Sequence, residues 1–448
     1  MRLLVVHQNF PGQFGYFVRE WARRPGWDVR GLGRDTAPGL PGFDGLILRY
    51  RLARQIRADQ HLYLRQTEAS TLHGQAAARA MIELRRSGFI PDAILAHPGW
   101  GETLFAKDVF PDARLVHFCE WFYSAEGADL GFDPEFPLRF DDRARLRIWN
   151  AQHALDLIHC DAAVSPTQWQ RSRYPEVLQH KVIVQHEGID ADGLGPDDAA
   201  SLVLPSGQVL RAGDPVITYV ARNLEPYRGF HVFMRALECI QQADRQCHAV
   251  IVGGDEVSYG GRPEGFRCWR DKMLSEVKLD PLRTHFVGRV PKAQYVRLLQ
   301  VSAAHVYLTY PFVLSWSLLE AMACGAPIVA SSTAPVLEAI RDGINGRLVD
   351  FSNPSDIARG VLETLHDDPA AKATRCAAAR RDACTQWRQA DALPRYEGLL
   401  RPATSATLAK TIDTRDTREL PGAIQHRLAS LADERRREAR LREVLMAR

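Results

Sequence analysis

The chain has no large excess of charge of either sign. Its 448 residues include 57 basic and 54 acidic ones, which gives a formal net charge of +3. A protein dedicated to nucleic acid carries a much larger basic surplus, so that class is excluded. Hydrophobic residues at 46% and charged residues at 25% match the globular average, which excludes wholesale disorder. At roughly 150 residues per domain, the length predicts two or three domains.

Cysteine motifs and long apolar segments are also missing. The 8 cysteines are scattered, with no C-x-x-C pair and no spacing typical of a metal site, so we interpret them as buried thiols in a reducing compartment. No stretch approaches the roughly 20 apolar residues that span a bilayer. The first residues lack the apolar core and the cleavage site of a signal peptide. Together these absences predict a cytoplasmic protein.

What is present is a pattern of apolar runs and helical stretches, repeated in two halves. The strands predicted in the first half are 3–6, 28–32, 93–96, 114–118, 162–165 and 181–185. Those predicted in the second half are 216–220, 248–253, 284–287, 305–308 and 327–330. Buried strands that alternate with helices predict parallel sheets covered on both faces. We therefore predict an α/β protein with two Rossmann-like, doubly wound domains that face each other across a ligand-binding cleft.

Composition changes suggest the domain limits. A stretch at 191–215, rich in Gly, Pro, Asp and Ser, predicts a hinge. We expect an N-terminal domain at 1–205, joined by a helix at 388–401 that crosses back to it, and a C-terminal domain at 206–387. Residues 402–448 predict a charged helical tail whose apolar stripe favours packing on the body or on a second copy of the chain, as in a homo-oligomer. A peripheral contact at the inner membrane face and a solvated helix are the alternatives.

The densest chemical signal lies between a strand and a helix of the second half. The segment 221–229 reads ARNLEPYRG and carries Arg222, Asn223 and Arg228. Two guanidinium groups in such a loop can converge on a diphosphate at the helix N-terminus, because the guanidinium fork matches phosphate oxygens and the helix dipole attracts anions. An ordinary surface loop is the alternative explanation.

Further strand ends in this half offer places for a nucleotide. Gly253 and Gly254 would let a ligand approach the backbone, although such pairs are mostly turns. Arg289 and Val290 follow the next predicted strand, where the backbone could meet a base edge. Glu320, in the first turns of a helix, could accept hydrogen bonds from a ribose diol. A carboxylate stabilised by the helix dipole is the alternative for Glu320.

Together with the stretch YPFVLSWSLLEAM at 310–322, these segments resemble the donor half of a retaining glycosyltransferase of family 4, with the GT-B fold, over about residues 215–400. The resemblance implies that Arg222 and Arg228 bind the donor diphosphate and that Glu320 binds the ribose. Arg228 stands where the family usually has Lys. The first Glu of the family's Glu-x7-Glu pattern falls at Phe312, so its role at the donor sugar is not carried over, and a different donor sugar is implied.

Motifs of the first half look like one bacterial subgroup of that family. They read HPGWGE at 97–102, HFCEWFY at 117–123 and HEGID at 186–190. The resemblance implies that Glu120 and His117 lie near the donor sugar and that the loop at Gly12 contacts donor or acceptor. A buried strand histidine is the alternative for His117, and a tight turn is the alternative for Gly12.

These arguments yield one set of candidate residues. The predicted catalytic residues are Arg222, Arg228, Glu120 and His117. The predicted donor-binding residues are Gly12, Asn223, Gly253, Gly254, Arg289, Val290, Phe312, Val313, Leu314, Ser315 and Glu320. The predicted acceptor-side residues are His97, Gly99 and Glu102.

The predicted function is transfer of a hexosyl group from a UDP- or GDP-linked sugar to a carbohydrate, lipid-linked or protein acceptor in bacterial surface polysaccharide or glycoconjugate synthesis. No metal and no further cofactor are expected, because arginines and helix N-termini can neutralise the leaving diphosphate. The acidic pair Asp190 and Asp192 leaves a metal-binding D-x-D as an alternative.

Other functions remain open at this point. A sugar-nucleotide epimerase would use the same fold, and Phe312 leaves room for a non-catalytic binding protein. A nicotinamide-dependent dehydrogenase is disfavoured, because the first strand is not followed by the G-x-G-x-x-G spacing.

Overall fold

A computed structural model of the chain describes residues 1–57 and 59–401. The tail predicted at 402–448 lies outside the described residues. Within the described part, no helix combines the length and the hydropathy needed to cross a bilayer.

The first half forms a parallel sheet because its strands are buried on both faces. Leu3 and Val5 pack into one core and Leu4 and Val6 into the other, so the first strand is a continuous apolar run. The sheet has the order β3-β2-β1-β4-β5-β6-β7. Its strands are β1 (Arg2–Val6), β2 (Asp28–Arg34), β3 (Ile47–Tyr50), β4 (Ala93–Ala96), β5 (Arg114–Phe118), β6 (Ala162–Ser165) and β7 (Val182–Val184).

Helices connect these strands and cover both faces of the sheet. They are α1 (Gly15–Arg23), α2 (Arg65–Arg86), α3 (Ala106–Val109), α4 (Phe140–His159), α5 (Gln168–Ser172) and α6 (Glu176–Gln179). Short 3-10 turns precede α1 at Gly12–Phe14 and β3 at Asp44–Leu46. Six of the seven strands confirm the prediction, whereas the edge strand β3 was not predicted.

The second half repeats this architecture around a parallel sheet of order β12-β11-β10-β13-β14-β15. Its strands are β10 (Val216–Asn223), β11 (His248–Gly254), β12 (Thr284–Gly288), β13 (Ala304–Tyr307), β14 (Ile328–Ser331) and β15 (Arg347–Val349), after a hairpin of β8 (Ser201–Val203) and β9 (Val209–Arg211). Its helices are α7 (Phe230–Ala243), α8 (Trp269–Glu276), α9 (Lys292–Gln300), α10 (Trp316–Ala323), α11 (Ala334–Leu337), α12 (Pro354–Leu365), α13 (Pro369–Gln386) and α14 (Gln389–Leu400). A 3-10 turn, Pro226–Arg228, leads into α7. Two Rossmann-like sheets confirm the predicted α/β fold.

The stretch interpreted as a hinge, 191–215, is structured. It contains the β8–β9 hairpin, whose Leu202 and Leu210 are buried in the core of the second half. The stretch folds because these two leucines are buried. Their contribution is not visible in its composition, which Gly, Pro and Asp residues dominate. The predicted domain boundary at 205–206 falls on the turn of this hairpin.

The last described helix returns to the first sheet. Leu393 and Tyr396 of α14 are buried in the same core as Leu3 and Phe17. Glu397 accepts hydrogen bonds from Arg24 and from Trp21 Nε1, the latter at 3.1 Å. The chain therefore crosses between the halves twice.

Candidate active site

A cleft of about 660 Å³ lies between the halves, and residues of both line it. The lining residues follow the carboxyl ends of β1, β4, β5, β6 and β7 in the first half and of β10, β11 and β13 in the second. Parallel strands in such sheets present their ligand-binding loops at this end. The predicted residues in the lining are Gly12, His97, Gly99, Glu120, Arg222, Arg228, Phe312, Val313, Leu314 and Ser315.

Arg228 is held in place at the cleft by the second half. Its Nη1 donates to Thr309 Oγ1 at 2.8 Å and to the Val313 carbonyl at 3.0 Å. The following residue, Gly229, has a φ of 68°, and a Cβ there would lie 2.5 Å from Leu308 Cβ. Only glycine permits this close turn into α7. The turn thus places a fixed cation in the cleft that the exposed Arg222 also lines.

Glu225 organises a loop beside these arginines, a role the sequence did not reveal. Its buried carboxylate accepts backbone N–H bonds from Ser258 at 3.2 Å, Tyr259 at 3.1 Å and Gly260 at 3.2 Å. The Arg228 guanidinium carbon lies 5.7 Å from the centroid of the Tyr259 ring. Glu225 therefore fixes the loop that carries an aromatic ring over the cation.

We expect Glu225→Ala to weaken nucleotide binding and to destabilise the fold. Three backbone donors lose a charged acceptor, which costs on the order of 2–4 kcal/mol when such groups are left without a partner. Thermal unfolding with and without nucleotide diphosphate measures both effects. The exposed Glu83→Ala on α2 is the control; equal melting temperatures and equal nucleotide affinities for the two variants would contradict this role.

The start of α10 lines the same cleft as these arginines, and the residues just before it contact one of them, Arg228. Ser315 caps this helix, and its backbone N–H donates to the Tyr307 hydroxyl at 2.8 Å. The Val313 carbonyl is already engaged by Arg228. The helix N-terminus and the two arginines give this side of the cleft a positive potential suited to an anion.

An aromatic cluster occupies the position where the resemblance called for a carboxylate. The ring of Phe312 lies 4.8 Å from Trp121, 5.0 Å from Tyr259 and 5.7 Å from Tyr227, measured between centroids. Phe312 lines the cleft although only 6% of it is exposed. The second half therefore presents an apolar surface here instead of a hydrogen-bond acceptor.

The first half contributes a paired histidine and glutamate. His97 Nδ1 accepts from the Gly99 N–H at 3.1 Å, and its Nε2 lies 3.4 Å from Glu120 Oε2. The His97 ring also stacks on Trp100 at 4.5 Å. Burial opposes ionisation of Glu120, but His97, Arg222 and Arg228 outweigh it and hold the pKa of this carboxyl below its ordinary value. Glu120 is thus an anion facing the cleft.

A second carboxyl in the cleft, Glu187, was not predicted. Its Oε1 accepts from Trp316 Nε1 at 2.6 Å, while its buried Oε2 has no hydrogen-bond partner among the described residues. Burial raises the pKa of Glu187 to about 7, and the negative charge of Glu120 acts in the same direction. Two carboxyls with oppositely shifted pKa values therefore share one cleft, an arrangement typical of groups with different roles.

We expect Glu187→Gln to be more stable than the parent protein above neutral pH. The folded-state pKa of about 7 exceeds the ordinary 4.5, so the folded state holds a proton that the unfolded state releases. The free energy of unfolding therefore falls as pH rises between these values. Gln cannot ionise, so it removes the cost of ionising the buried carboxyl, which is at most about 3 kcal/mol. Melting temperatures across the pH range measure this difference. A variant that gains nothing at about pH 8 relative to about pH 5 would contradict the assignment.

Two candidates of the first half lie in the protein interior, outside the described cleft lining. His117 is 1% exposed and pairs within β5 with Ala96 and Ala163 on the neighbouring strands. Glu102 accepts from the Tyr50 hydroxyl at 2.6 Å and from Gln8 Nε2 at 3.1 Å. Both side chains are thus buried within the first half, His117 inside β5 and Glu102 in the segment that follows β4.

The remaining donor candidates form a group at the ends of β10, β11 and β12, beyond the described lining. Arg289 donates to Asn223 Oδ1 at 2.9 Å and to Glu256 at 2.6 Å. Gly253 and Gly254 lie at the end of β11, and Val290 follows Arg289. A Cβ on Gly254 would lie 2.6 Å from Asn223 Oδ1, so a larger residue there would displace the Asn223 side chain.

Glu320 lies on α10, outside the described lining. Its carboxylate accepts from Lys292 and from the Tyr295 hydroxyl, the latter at 2.7 Å. Both oxygens already have partners, so its role toward a ribose stays a prediction.

Acidic groups elsewhere are occupied by protein contacts. Asp192 pairs with Arg388 at 2.9 Å, and Asp190 Oδ1 accepts from the Gly193 N–H at 3.1 Å. Asp133, Glu135 and His231 lie close enough to share an ion, but His231 and the Tyr310 hydroxyl both bind Asp133, at 2.9 and 2.8 Å. These contacts join a loop of the first half to the second.

Known protein families match both halves. Residues 25–194 match the family described as Glycosyl transferase family 4 group. Residues 206–382 match the family described as Glycosyl transferases group 1. The two matches meet near the β8–β9 hairpin and together include most of the described residues.

Relatives in sequence carry the name D-inositol 3-phosphate glycosyltransferase. The protein of Thermomonospora curvata is 28% identical over 222 residues, which is 45% of this chain and 50% of the relative. That of Mycolicibacterium vanbaalenii is 28% identical over 269 residues, 57% of this chain and 55% of the relative. The chain thus spans about half the length of the curated relatives it matches.

Solved structures show the same fold. Anabaena HepE in complex with UDP-glucose superposes with a TM-score of 0.63 at 16% identity, over 89% of this chain and 99% of that one. Sucrose-phosphate synthase from Thermosynechococcus elongatus gives a TM-score of 0.65 at 15% identity, over 89% of this chain and 98% of that one. Both halves are thus similar to glycosyltransferase families, and the fold is the one shared by these solved structures.

Proposed function

We propose that the chain is a retaining hexosyltransferase that uses a UDP- or GDP-linked sugar and needs no metal. The observation that carries the proposal is the placement of Arg222 and Arg228 beside the N-terminus of α10, at the cleft between two Rossmann-like halves. Two guanidinium groups and a helix N-terminus match the charge of a nucleotide diphosphate. The structures of HepE were solved with UDP-glucose and with UDP, which supports a uridine nucleotide as the first donor to test.

In the proposed reaction the arginines stabilise the charge that develops on the leaving diphosphate. The bond from the sugar C1 to the phosphate oxygen breaks, and a bond from C1 to the acceptor oxygen forms on the same face of the sugar. The acceptor hydroxyl gives its proton to the leaving phosphate oxygen. A preorganised positive site that favours the separated diphosphate lowers the barrier most at this step.

The two cleft carboxyls have separate roles in this scheme. In this proposal Glu120, held ionised and oriented by His97, stabilises the positive charge that grows at C1. Glu187, neutral below about pH 7 because burial raises its pKa, presents Oε2 for a hydrogen bond to a sugar hydroxyl. Glu187 thus supplies a carboxyl from the first half, whereas the second half has Phe312 at the position where the family has a glutamate.

Thermal shift with nucleotides tests the donor part of the proposal. A ligand that binds only the folded state raises the melting temperature. We expect UDP, GDP or their sugars to raise it in the parent protein and not in Arg228→Ala. If no nucleotide diphosphate raises it, the proposal is wrong.

A non-catalytic binding protein is the second candidate, favoured by the aromatic cluster around Phe312. It would show the same nucleotide-dependent shift without turnover. An epimerase would convert the donor without releasing nucleotide diphosphate. Release of the nucleotide that depends on an acceptor separates the transferase from both.

The free cysteines support a reducing location for this reaction. All 8 cysteines lie within the described residues, and none forms a disulfide. We propose that the enzyme works in the cytoplasm, where nucleotide sugars are its substrates.

A further inference from the structure

Two aromatic side chains form one wall of the cleft on the first half. Tyr123 and Trp149 stack with centroids 4.0 Å apart and planes 26° from parallel, and both line the cleft. Asn150, next to Trp149 on α4, accepts from the Tyr123 N–H at 3.0 Å and donates to the Tyr123 carbonyl at 2.6 Å. This double hydrogen bond fixes the loop to the helix, so the pair, here called the aromatic platform, is rigid before any ligand binds.

Unpartnered polar atoms lie beside the platform. The Nε1 of Trp149 and the Nε2 of His153 are buried and have no hydrogen-bond partner among the described residues. His153 lies one turn further along α4, also lines the cleft, and is 7% exposed. Burial lowers its pKa to about 4, so the ring is neutral at physiological pH. Buried polar atoms of this kind almost always have partners, and a ligand hydroxyl would supply them.

The charge of this wall limits the ligand further. Among the cleft-lining residues in the described part of the first half there is no Lys or Arg, and the acids are the ionised Glu120 and Glu187, whose pKa is raised to about 7. The arginines of the cleft, Arg222 and Arg228, both come from the second half. When the donor diphosphate occupies both arginines, an acceptor that carried its own phosphate would bring a further anion toward Glu120 with no additional cation to balance it.

We propose that the aromatic platform is the acceptor subsite and that it binds an uncharged pyranose ring. The inference rests on the proposed function and narrows its acceptor class. The C–H face of a pyranose carries partial positive charge and packs on the negative face of an aromatic ring. Ring hydroxyls then reach Trp149 Nε1 and His153 Nε2. The relatives are named for a phosphorylated cyclitol, D-inositol 3-phosphate, so this chain would differ from them in the charge of its acceptor.

Acceptor-dependent release of nucleotide diphosphate tests the proposal. The acceptors are methyl glucoside, galactoside, mannoside and N-acetylglucosaminide, neutral disaccharides of the same sugars, the matching 6-phosphates, and D-inositol 3-phosphate. The donor is the nucleotide sugar with the largest thermal shift. We expect release with at least one uncharged glycoside, and at least tenfold less with its phosphate.

Variants of the platform make the test specific. Trp149→Ala is expected to raise the acceptor KM about tenfold, because the loss of one aromatic contact has an effect of this size. The rise in melting temperature caused by the donor should not change. Trp149→Phe keeps a ring and loses only the N–H, so it covers the case in which the alanine variant does not fold. Phe140→Ala, a 79% exposed residue at the start of α4, is the matched control.

Each outcome decides between the proposals. Two results would overturn the acceptor inference and leave the donor site intact. In both the donor binds, but turnover either occurs only with phosphorylated acceptors or is not stimulated by any uncharged glycoside. An unchanged acceptor KM in both Trp149 variants also overturns it. Absence of any nucleotide-dependent shift overturns the proposed function itself.

Discussion

Arg228→Ala is expected to lower turnover by roughly a thousandfold, since removing a preorganised group that stabilises transition-state charge has costs of this size. The side chain is anchored by Thr309 and by the Val313 carbonyl, so its charge stays in place as the diphosphate leaves. Arg228→Lys is expected to keep a measurable part of the activity, because it retains the charge and loses the fork geometry. Steady-state kinetics with a saturating acceptor measure both variants.

The control for Arg228 is Arg245→Ala, an exposed arginine just after α7. It changes the net charge equally and should leave kcat within about twofold of the parent, as surface substitutions usually do. Equal kcat values for Arg228→Ala and Arg245→Ala would contradict the assignment of the diphosphate site.

Glu120→Gln is expected to lower kcat by roughly a hundredfold with a small effect on donor binding, because it removes an anion that acts mainly when positive charge grows on the sugar. His97→Ala should show a similar loss, since His97 orients Glu120 through the contact at 3.4 Å. The double variant should lose less than the two single losses multiplied together. Single-turnover kinetics separate this step from product release.

Glu126→Gln is the control, because it lies in the loop after Glu120 and pairs on the surface with Arg143. It should behave like the parent protein. Strictly multiplicative effects of Glu120→Gln and His97→Ala would show that the two residues act independently, which contradicts the pair described above.

The central strands were predicted from the sequence because burial on both faces requires an uninterrupted run of apolar residues. Residues Leu3 to Val6 are all 0% exposed, so each position of the strand had to be apolar. The edge strands β3 and β15 were missed because they are short and contain charged residues, Arg49 and Arg347. Edge strands are solvated on one side, and the apolar run that identifies a central strand is absent.

Sequence reasoning can group candidate residues that lie close together in the chain, and it misses those that meet only through the fold. Arg222 lies at the end of β10 and Arg228 in the 3-10 turn that follows, so the local pattern accounts for their position at the same cleft. Glu187 and Trp316 are 129 residues apart in the chain, and only the fold brings them together. His117 has the residue type of a catalytic group, but strand alternation turns it into the core.

The central claim is that the cleft transfers a sugar from a nucleotide diphosphate to an acceptor. The most direct test is to incubate the full chain with UDP-, GDP- and ADP-sugars, with and without the acceptor panel, and to measure released nucleotide diphosphate together with the mass of the acceptor. We expect release that depends on acceptor, an acceptor heavier by one hexosyl residue, and loss of both in Arg228→Ala. Nucleotide release without any glycosylated acceptor, or no release from any donor in the presence of acceptors, would contradict the claim.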